Sequence, residues 1–520
     1  MGSNDTTQSI NAIGQVESVT NEVCVIKNLT NAALGSLVEF SSGGEGIILG
    51  FEKDRAQVTI TDRSANLKKG DLAKIISDSI RIPVTERLLG RIIDPLGRPL
   101  DGLGDIRAGE TKPIESPSRP IYQRALLNRP LQTGYLVIDS QIPIGLGQRE
   151  LLLGERKAGN DELAVDIIIN QAKNNTGVLC VYVALDAESA AVKRRISRMK
   201  AEGALANTIV IFGRTSESAT LNYIAPMTGT TIAEWFAAKG KDVLIVFDNL
   251  TRHAKVYRQL SLLLNRPASR EAYPGDVFYL HSRLLERCGA FNESAGGGTI
   301  TALPVVETQS EEVTDYITTN LMSITDGHVL FKLSIANRDI QPPIDSGFSV
   351  SRLGGRVQTP LMRSMADALK QIMIRYNEFE RSMSFGAELH GETKEAIELG
   401  TMASQILHQS GEDCYSMVEE VMLTYFVTSK SVAYWSVAQI PVVKSRLLKF
   451  IRQPQYVKLL ERVGIATNLE QAKPFLDEII TSFRKDPLTP EPIEERQSIS
   501  AETETVTSLL REGNEEVASG

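Results

Sequence analysis

Three unbroken apolar runs constrain this chain most: LCVYVAL (179–185), TIVIF (208–212) and VLIVF (243–247). A strand that is apolar on both faces must be covered on both faces. That is the pattern of a parallel sheet with helices on either side. The intervening segments fit, since SAAVKRRISRMKAEG has helical periodicity and ends at Gly203, a helix-stop signal. A further strand–turn–helix, LLLGERKAGNDELAVDIIINQ, covers 151–171. Strands alternating with helices over about 77–358 predict an α/β nucleotide-binding domain with a mostly parallel sheet.

The flanks read differently. Residues 13–76 alternate apolar and polar in short strands separated by turns, which predicts a β-barrel. That stretch has two aromatic residues, Phe40 and Phe51, too few to stack the bases of a single strand. Over 359–486 the period becomes helical: Leu361, Met365, Leu369, Ile372, Tyr376 and Phe379 form one stripe of a C-terminal α-helical bundle. Residues 1–12 read as a flexible start. Residues 487–520, rich in Pro, Ser, Thr and Glu, read as an acidic tail in which VTSLL (506–510) is a short helical possibility. A length of 520 residues accommodates these several domains. The net charge of −8 argues against a nucleic-acid partner. Cys24, Cys180, Cys288 and Cys414 are too scattered for a zinc site or a disulfide framework, and no apolar run reaches membrane-spanning length.

The chemistry-bearing stretch is Gly154-Glu155-Arg156-Lys157-Ala158-Gly159-Asn160-Asp161. A phosphate loop has the frame G-x-x-x-x-G-K-[ST]. Its backbone N–H groups and helix N-terminus face phosphate, its Lys neutralises charge and its hydroxyl ligates magnesium. Gly154 and Gly159 have the right spacing, after a strand and before a helix, but Asn160 and Asp161 stand where Lys and Ser or Thr belong. The strand VLIVF ends in Asp248, where a magnesium-facing carboxylate is expected. Either signal alone has a bland explanation, a glycine turn or a strand-end cap; strand order and spacing together favour a nucleotide fold.

Four longer stretches carry a specific resemblance: LQTGYLVIDSQIPIGLGQRELLLGER, YRQLSLLLNRPASREAYPGDVFYLHSRLLER, GGGTITALPVVETQSEEVTDYITTNLMSITDG and SGFSVSRLGG. Over roughly residues 13–485 the protein resembles the alpha-subunit family of the F-type rotary ATP synthase head. The resemblance implies a β-barrel, a RecA-like nucleotide domain and a helical bundle. It implies a ring alternating with catalytic beta subunits around a gamma stalk, with the membrane rotor engaged only indirectly. It implies a peripheral place on the cytoplasmic face of the plasma membrane, or on the matrix or stroma face of an organelle membrane. Alpha subunits of this family are non-catalytic; their chemical contribution is an arginine finger, matched here by Arg352, with Ser351 in support. A guanidinium suits that task because it is always charged and donates in a planar fork. The implied cofactor is ATP or ADP with magnesium at the beta–alpha interface.

Several positions depart from the family pattern. Asn160 removes a positive charge, and Asp161 adds a negative one beside the phosphates. Like charges at about 4 Å cost on the order of 4 kcal/mol at an effective dielectric of 20. Micromolar binding amounts to only about 8 kcal/mol. Lys157 sits three positions early and is expected to point elsewhere, while Asp161 and Asp248 are the carboxylates that would ligate magnesium. The family's Gly-Gln-Lys after the second strand is Asp186-Ala187-Glu188, its Ile-Arg-Pro is Ile340-Gln341-Pro342, and an aromatic is matched by Ala336. These changes share one pocket and predict a nucleotide site that is weak or lost. The dozen residues before the barrel are fewer than the family's helical extension, which puts contact with the peripheral stalk in question. Three alternatives compete: a specialised rotary-type ATPase not used for synthesis, a Rho-type RNA translocase and a protein-export ATPase. The last two need an intact phosphate loop.

Overall fold

A computed structural model describes residues 13–62, 66–107, 109–309, 313–384, 391–411 and 413–492, and the protein divides into two compact units. The first unit comprises residues up to Thr359 together with Gln409–Ser416. It opens with six antiparallel strands: β1 (Ile13–Thr20), β2 (Val23–Lys27), β3 (Leu37–Phe40), β4 (Glu45–Glu52), β5 (Arg55–Ile60) and β6 (Leu72–Ser77). They run in the order β1-β2-β5-β4-β3-β6, and β1 pairs with β6 to close a barrel. Alternate residues, among them Val16, Cys24, Ile26, Val38, Phe40, Ile48 and Val58, point inward and fill it.

The nucleotide-type domain follows. A small ribbon pairs β7 (Arg81–Val84) with β9 (Glu110–Pro113), while β8 (Ile92–Ile93) joins the main sheet. That sheet also contains β10 (Glu150–Glu155), β11 (Leu179–Ala187), β12 (Thr208–Arg214), β13 (Asp242–Asp248), β14 (Gly289–Ala290), β15 (Thr299–Thr308), β16 (Gly327–Phe331) and β17 (Val350–Ser351). The order is β17-β16-β10-β15-β13-β11-β12-β8, with β14 antiparallel on β15. All the other neighbours are parallel except the edge strand β17, which runs antiparallel to β16. The three apolar runs are β11, β12 and β13, and nearly every residue in them is buried. This arrangement puts the carboxyl ends of β10, β11 and β13 on one rim, where open α/β sheets place ligands.

One face of the sheet is covered by helices Ala219–Ala237, Leu250–Leu263 and Val277–Glu286. They enclose two fully buried histidines. His253 Nε2 lies 2.9 Å from the Tyr223 carbonyl, and His253 Nδ1 lies 3.2 Å from His281 Nε2. A carbonyl only accepts, so His253 carries its proton on Nε2, and Nδ1 accepts from His281. Burial lowers the His253 pKa to about 4; burial and His253 together lower His281 well below the ordinary range. A folded-state pKa below the unfolded one gives stability that is complete above pH 6.5 and is lost as pH falls through the folded value. His253 alone is expected to withdraw about 2 kcal/mol between pH 7 and pH 5. Thermal melts across that range should show the loss, and His253→Gln, which keeps an amide donor for Tyr223, should reduce it, with the remainder due to His281. An unchanged slope in the variant would assign the effect elsewhere.

The second unit, residues 360–408 and 417–520, contains six α-helices among the described residues: Pro360–Ser384, Gly391–Leu407, Met417–Thr428, Ile440–Ile451, Pro454–Ile465 and Leu469–Lys485. Leu361, Met365 and Leu369 of the predicted stripe are buried. Trp435 is fully buried among Phe426, Tyr434 and Phe483, and its indole N–H donates to the Pro490 carbonyl at 2.8 Å. The Thr489 hydroxyl donates to the Phe483 carbonyl. Composition assigns 487–490 to the acidic tail, but these bonds hold Thr489 and Pro490 against the bundle. Residues 1–12 and VTSLL (506–510) lie outside the described residues. Among the described residues no helix is long and apolar enough to cross a membrane.

Candidate functional site

The loop at the end of β10 keeps the shape of a phosphate loop. A Cβ on Gly154 would sit 2.8 Å from that of Phe331, so only glycine allows β10 and β16 to approach here. Gly159 has φ +95°, a left-handed conformation that favours glycine, and helix Asn160–Lys173 starts directly after it. Lys157 is exposed, also at positive φ, and forms no ion pair among the described residues.

The side chains around the loop are engaged within the protein. Asn160 is buried, and its amide donates down into the sheet, to the carbonyls of Leu152 (3.3 Å) and Val306 (3.1 Å). Asp161 and Asp248, the two carboxylates expected to face magnesium, face Arg195 instead. Arg195 ion-pairs with Asp161 through Nη2 and with Asp248 through Nη1 at 2.5 Å, and its Nε lies 3.3 Å from Glu162. The Tyr182 hydroxyl donates to the same Asp248 oxygen at 2.5 Å and accepts from Arg195 at 3.1 Å. Asp248 is 1 % exposed and Arg195 9 %. Burial opposes the Arg195 charge, but Tyr182, Asp248 and Asp161 outweigh it, so its proton is held more tightly than usual. Burial pushes the Asp248 carboxyl up, and Arg195 and Tyr182 pull it back. Among the described residues no three His, Cys, Asp or Glu side chains are grouped to hold a metal.

Two of the positions that depart from the family pattern, Asp186 and Gln341, make backbone contacts within the protein. Asp186 has φ +45°, in the left-handed region, and its N–H donates to the Asn222 side chain at 2.8 Å. Gln409 is committed to the backbone: its side chain accepts from Leu136 N–H and donates to the Gly134 carbonyl, and its own N–H donates to Gln341.

At the β17 edge of the sheet lies Arg352, directly after that strand. Its backbone N–H donates to the Asp326 carbonyl at 2.9 Å, and the Asp326 carboxylate holds Arg149 in a two-pronged pair at 2.9 and 2.6 Å. The Ser351 hydroxyl donates to the Pro143 carbonyl at 2.7 Å and accepts from Gln148 at 3.1 Å. The Gln148 amide also donates to Glu150 at 2.7 Å. Glu150 is fully buried, and its other oxygen has no hydrogen-bond partner; burial and Asp326 push its pKa well up. The Arg352 guanidinium itself is exposed. Its one hydrogen bond among the described residues is to the Met322 carbonyl at 3.3 Å, and no carboxylate pairs with it.

The sequence motifs do not single out Arg195, Tyr182, Gln148, Glu150 and Asp326. For Arg195 a signal exists: it falls at helical spacing with the buried Val192 and Met199, a charge on an apolar face, which implies a buried partner.

Two family models match the protein. The nucleotide-binding domain of the ATP synthase alpha/beta family covers residues 134–351, and the C-terminal domain of the same alpha/beta family covers 358–504. Similar proteins include the ATP synthase subunit alpha of Caldanaerobacter subterraneus subsp. tengcongensis, 42% identical over 84% of this protein and 86% of that one. Those of Acholeplasma laidlawii (41%; 80% and 83%) and Metamycoplasma arthritidis (38%; 90% and 88%) are comparable. With a barrel, a parallel-sheet nucleotide domain and a helical domain in that order, the protein belongs to the ATP synthase alpha/beta family, among its alpha subunits.

Proposed function

We propose that this protein is a non-catalytic alpha subunit of an F-type rotary head, with its own nucleotide site lost and Arg352 serving a neighbour. It alternates with catalytic beta subunits around a gamma stalk, peripheral to the membrane whose ion flow the complex couples to ATP. The observation that carries this reading is the exposed guanidinium of Arg352, which pairs with no carboxylate among the described residues and follows an edge strand anchored through Ser351. Most charged side chains that serve only the fold find a partner or wave freely. This one combines an anchored backbone with an exposed guanidinium that no carboxylate pairs with among the described residues, which suits a partner's phosphoryl group. Mg-ATP in the partner's site supplies the phosphoryl group that is transferred. Arg352 donates in a fork to its oxygens, Ser351 fixes the turn before it, and the Arg149–Asp326 pair fixes the strand beneath. Asp161 and Asp248, already engaged by Arg195, support the loss of this subunit's own site.

The full-length protein, mixed with a catalytic beta-type subunit, is expected to assemble into heads that hydrolyse ATP. Alone it is expected to hydrolyse none and to show no saturable Mg-ATP binding by equilibrium dialysis. Failure to co-assemble, or tight Mg-ATP binding by the isolated subunit, would overturn the proposal.

A further inference from the structure

The loop after β10, the end of β13 and helix Ser189–Ala201 converge on one guanidinium. We propose that Arg195 is a built-in occupant of the former nucleotide site: its guanidinium replaces the bound cation between Asp161 and Asp248, and the subunit keeps its fold with no ligand. The inference rests on the reading that this subunit's own site has lost Mg-ATP.

Both halves of a magnesium–phosphate pair have an internal counterpart. Asp161 supplies the anion. It lies in the first turn of helix Asn160–Lys173, where negative charge is favoured, and its Oδ1 accepts from the Glu162 N–H at 3.1 Å. That is where a phosphate oxygen would be received. Arg195 supplies the cation, bonded at once to Asp161, Asp248 and Glu162. Tyr182 completes the coordination of Asp248. From the next turn of the same helix, Arg198 pairs with the buried Asp166 at 2.5 Å and donates to the Gly411 carbonyl. The helix therefore closes the rim with two arginines. Because the guanidinium is tethered, it competes with any diffusing cation at high effective concentration. A ligand would have to break several charged hydrogen bonds before making its own.

The test uses the full-length protein and Mg-ATP. Asn160→Lys with Asp161→Thr restores the loop residues but leaves Arg195 on Asp248; Arg195→Ala is then added. The triple variant is expected to bind Mg-ATP about 10–100-fold more tightly than the double, and to show a melting temperature that rises with Mg-ATP. The wild type should show neither effect. Equal affinity in double and triple variants, or a folded triple variant that binds no better than the double, would overturn the inference alone. Tight binding by the wild type would overturn the underlying reading as well. Should the triple variant not fold, melts of Arg195→Ala, Asp161→Ala and the pair decide. Losses that are less than additive support the contact, and strictly additive losses refute it.

Discussion

In a head assembled with catalytic partners, Arg352→Ala is expected to lower kcat by about 10³–10⁵-fold, the range for guanidinium stabilisation supplied in trans. The loss should fall equally on kcat and kcat/KM, because the contact forms as charge develops on the transferred phosphoryl group. Arg352→Lys keeps the charge but loses the planar fork, and should recover only a small part. Assembly should be unaffected, since the side chain's one internal hydrogen bond among the described residues is a 3.3 Å contact to a carbonyl. Turnover of Arg352→Ala heads within about tenfold of wild type, roughly 1.4 kcal/mol in barrier, would remove Arg352 from the partner's site.

The second large effect is expected at Gly327, which touches no partner phosphate. It pairs with Glu150 on one side and with Ser351 on the other. A Cβ placed there would lie 2.5 and 2.7 Å from the Glu150 carboxylate oxygens and would also strike the Val350 carbonyl. Glu150 is fully buried and cannot yield, so the strain passes to β17. Displacing the arginine by about 1 Å costs on the order of 10²-fold in rate. Gly327→Ala is therefore expected to lower the turnover of assembled heads by about that factor, with about 1–3 kcal/mol lost from stability by overpacking. Melting temperature and specific activity of purified heads separate the two effects. If heads that assemble have full specific activity, the added methyl acts on stability alone.

The architecture was largely legible because its signals are local and periodic. Runs such as VLIVF read as doubly covered strands, and the spacing of Leu361, Met365 and Leu369 reads as a helix; both are buried as the periodicity demands. Gly154 and Gly159 were legible for the same reason, since each answers a backbone requirement within a few residues. What engages Asp161 and Asp248 was not legible. Arg195 lies 34 positions from Asp161 and 53 from Asp248, and nothing in local spacing states that three elements will bring them together. The support beneath Arg352 is equally non-local: Gln148 and Ser351 meet only because β16 lies between their strands. The residues Asn160 and Asp161 by themselves imply an uncompensated negative pocket. The structure shows Asp161 and Asp248 paired with an internal cation.

The bridge from Arg195 to Asp161 and Asp248 also bears on how such a subunit can change over generations. Restoring a lysine and a threonine at 160 and 161 confers no advantage while the guanidinium still claims Asp248. Losing the guanidinium first strands two carboxylates, one of them buried. On the proposed reading, each single substitution toward a family-type pocket is neutral or harmful, so the loop and the guanidinium would have to change together. On that same reading the arginine acts as a ratchet that leaves the response to nucleotide with the neighbouring subunits.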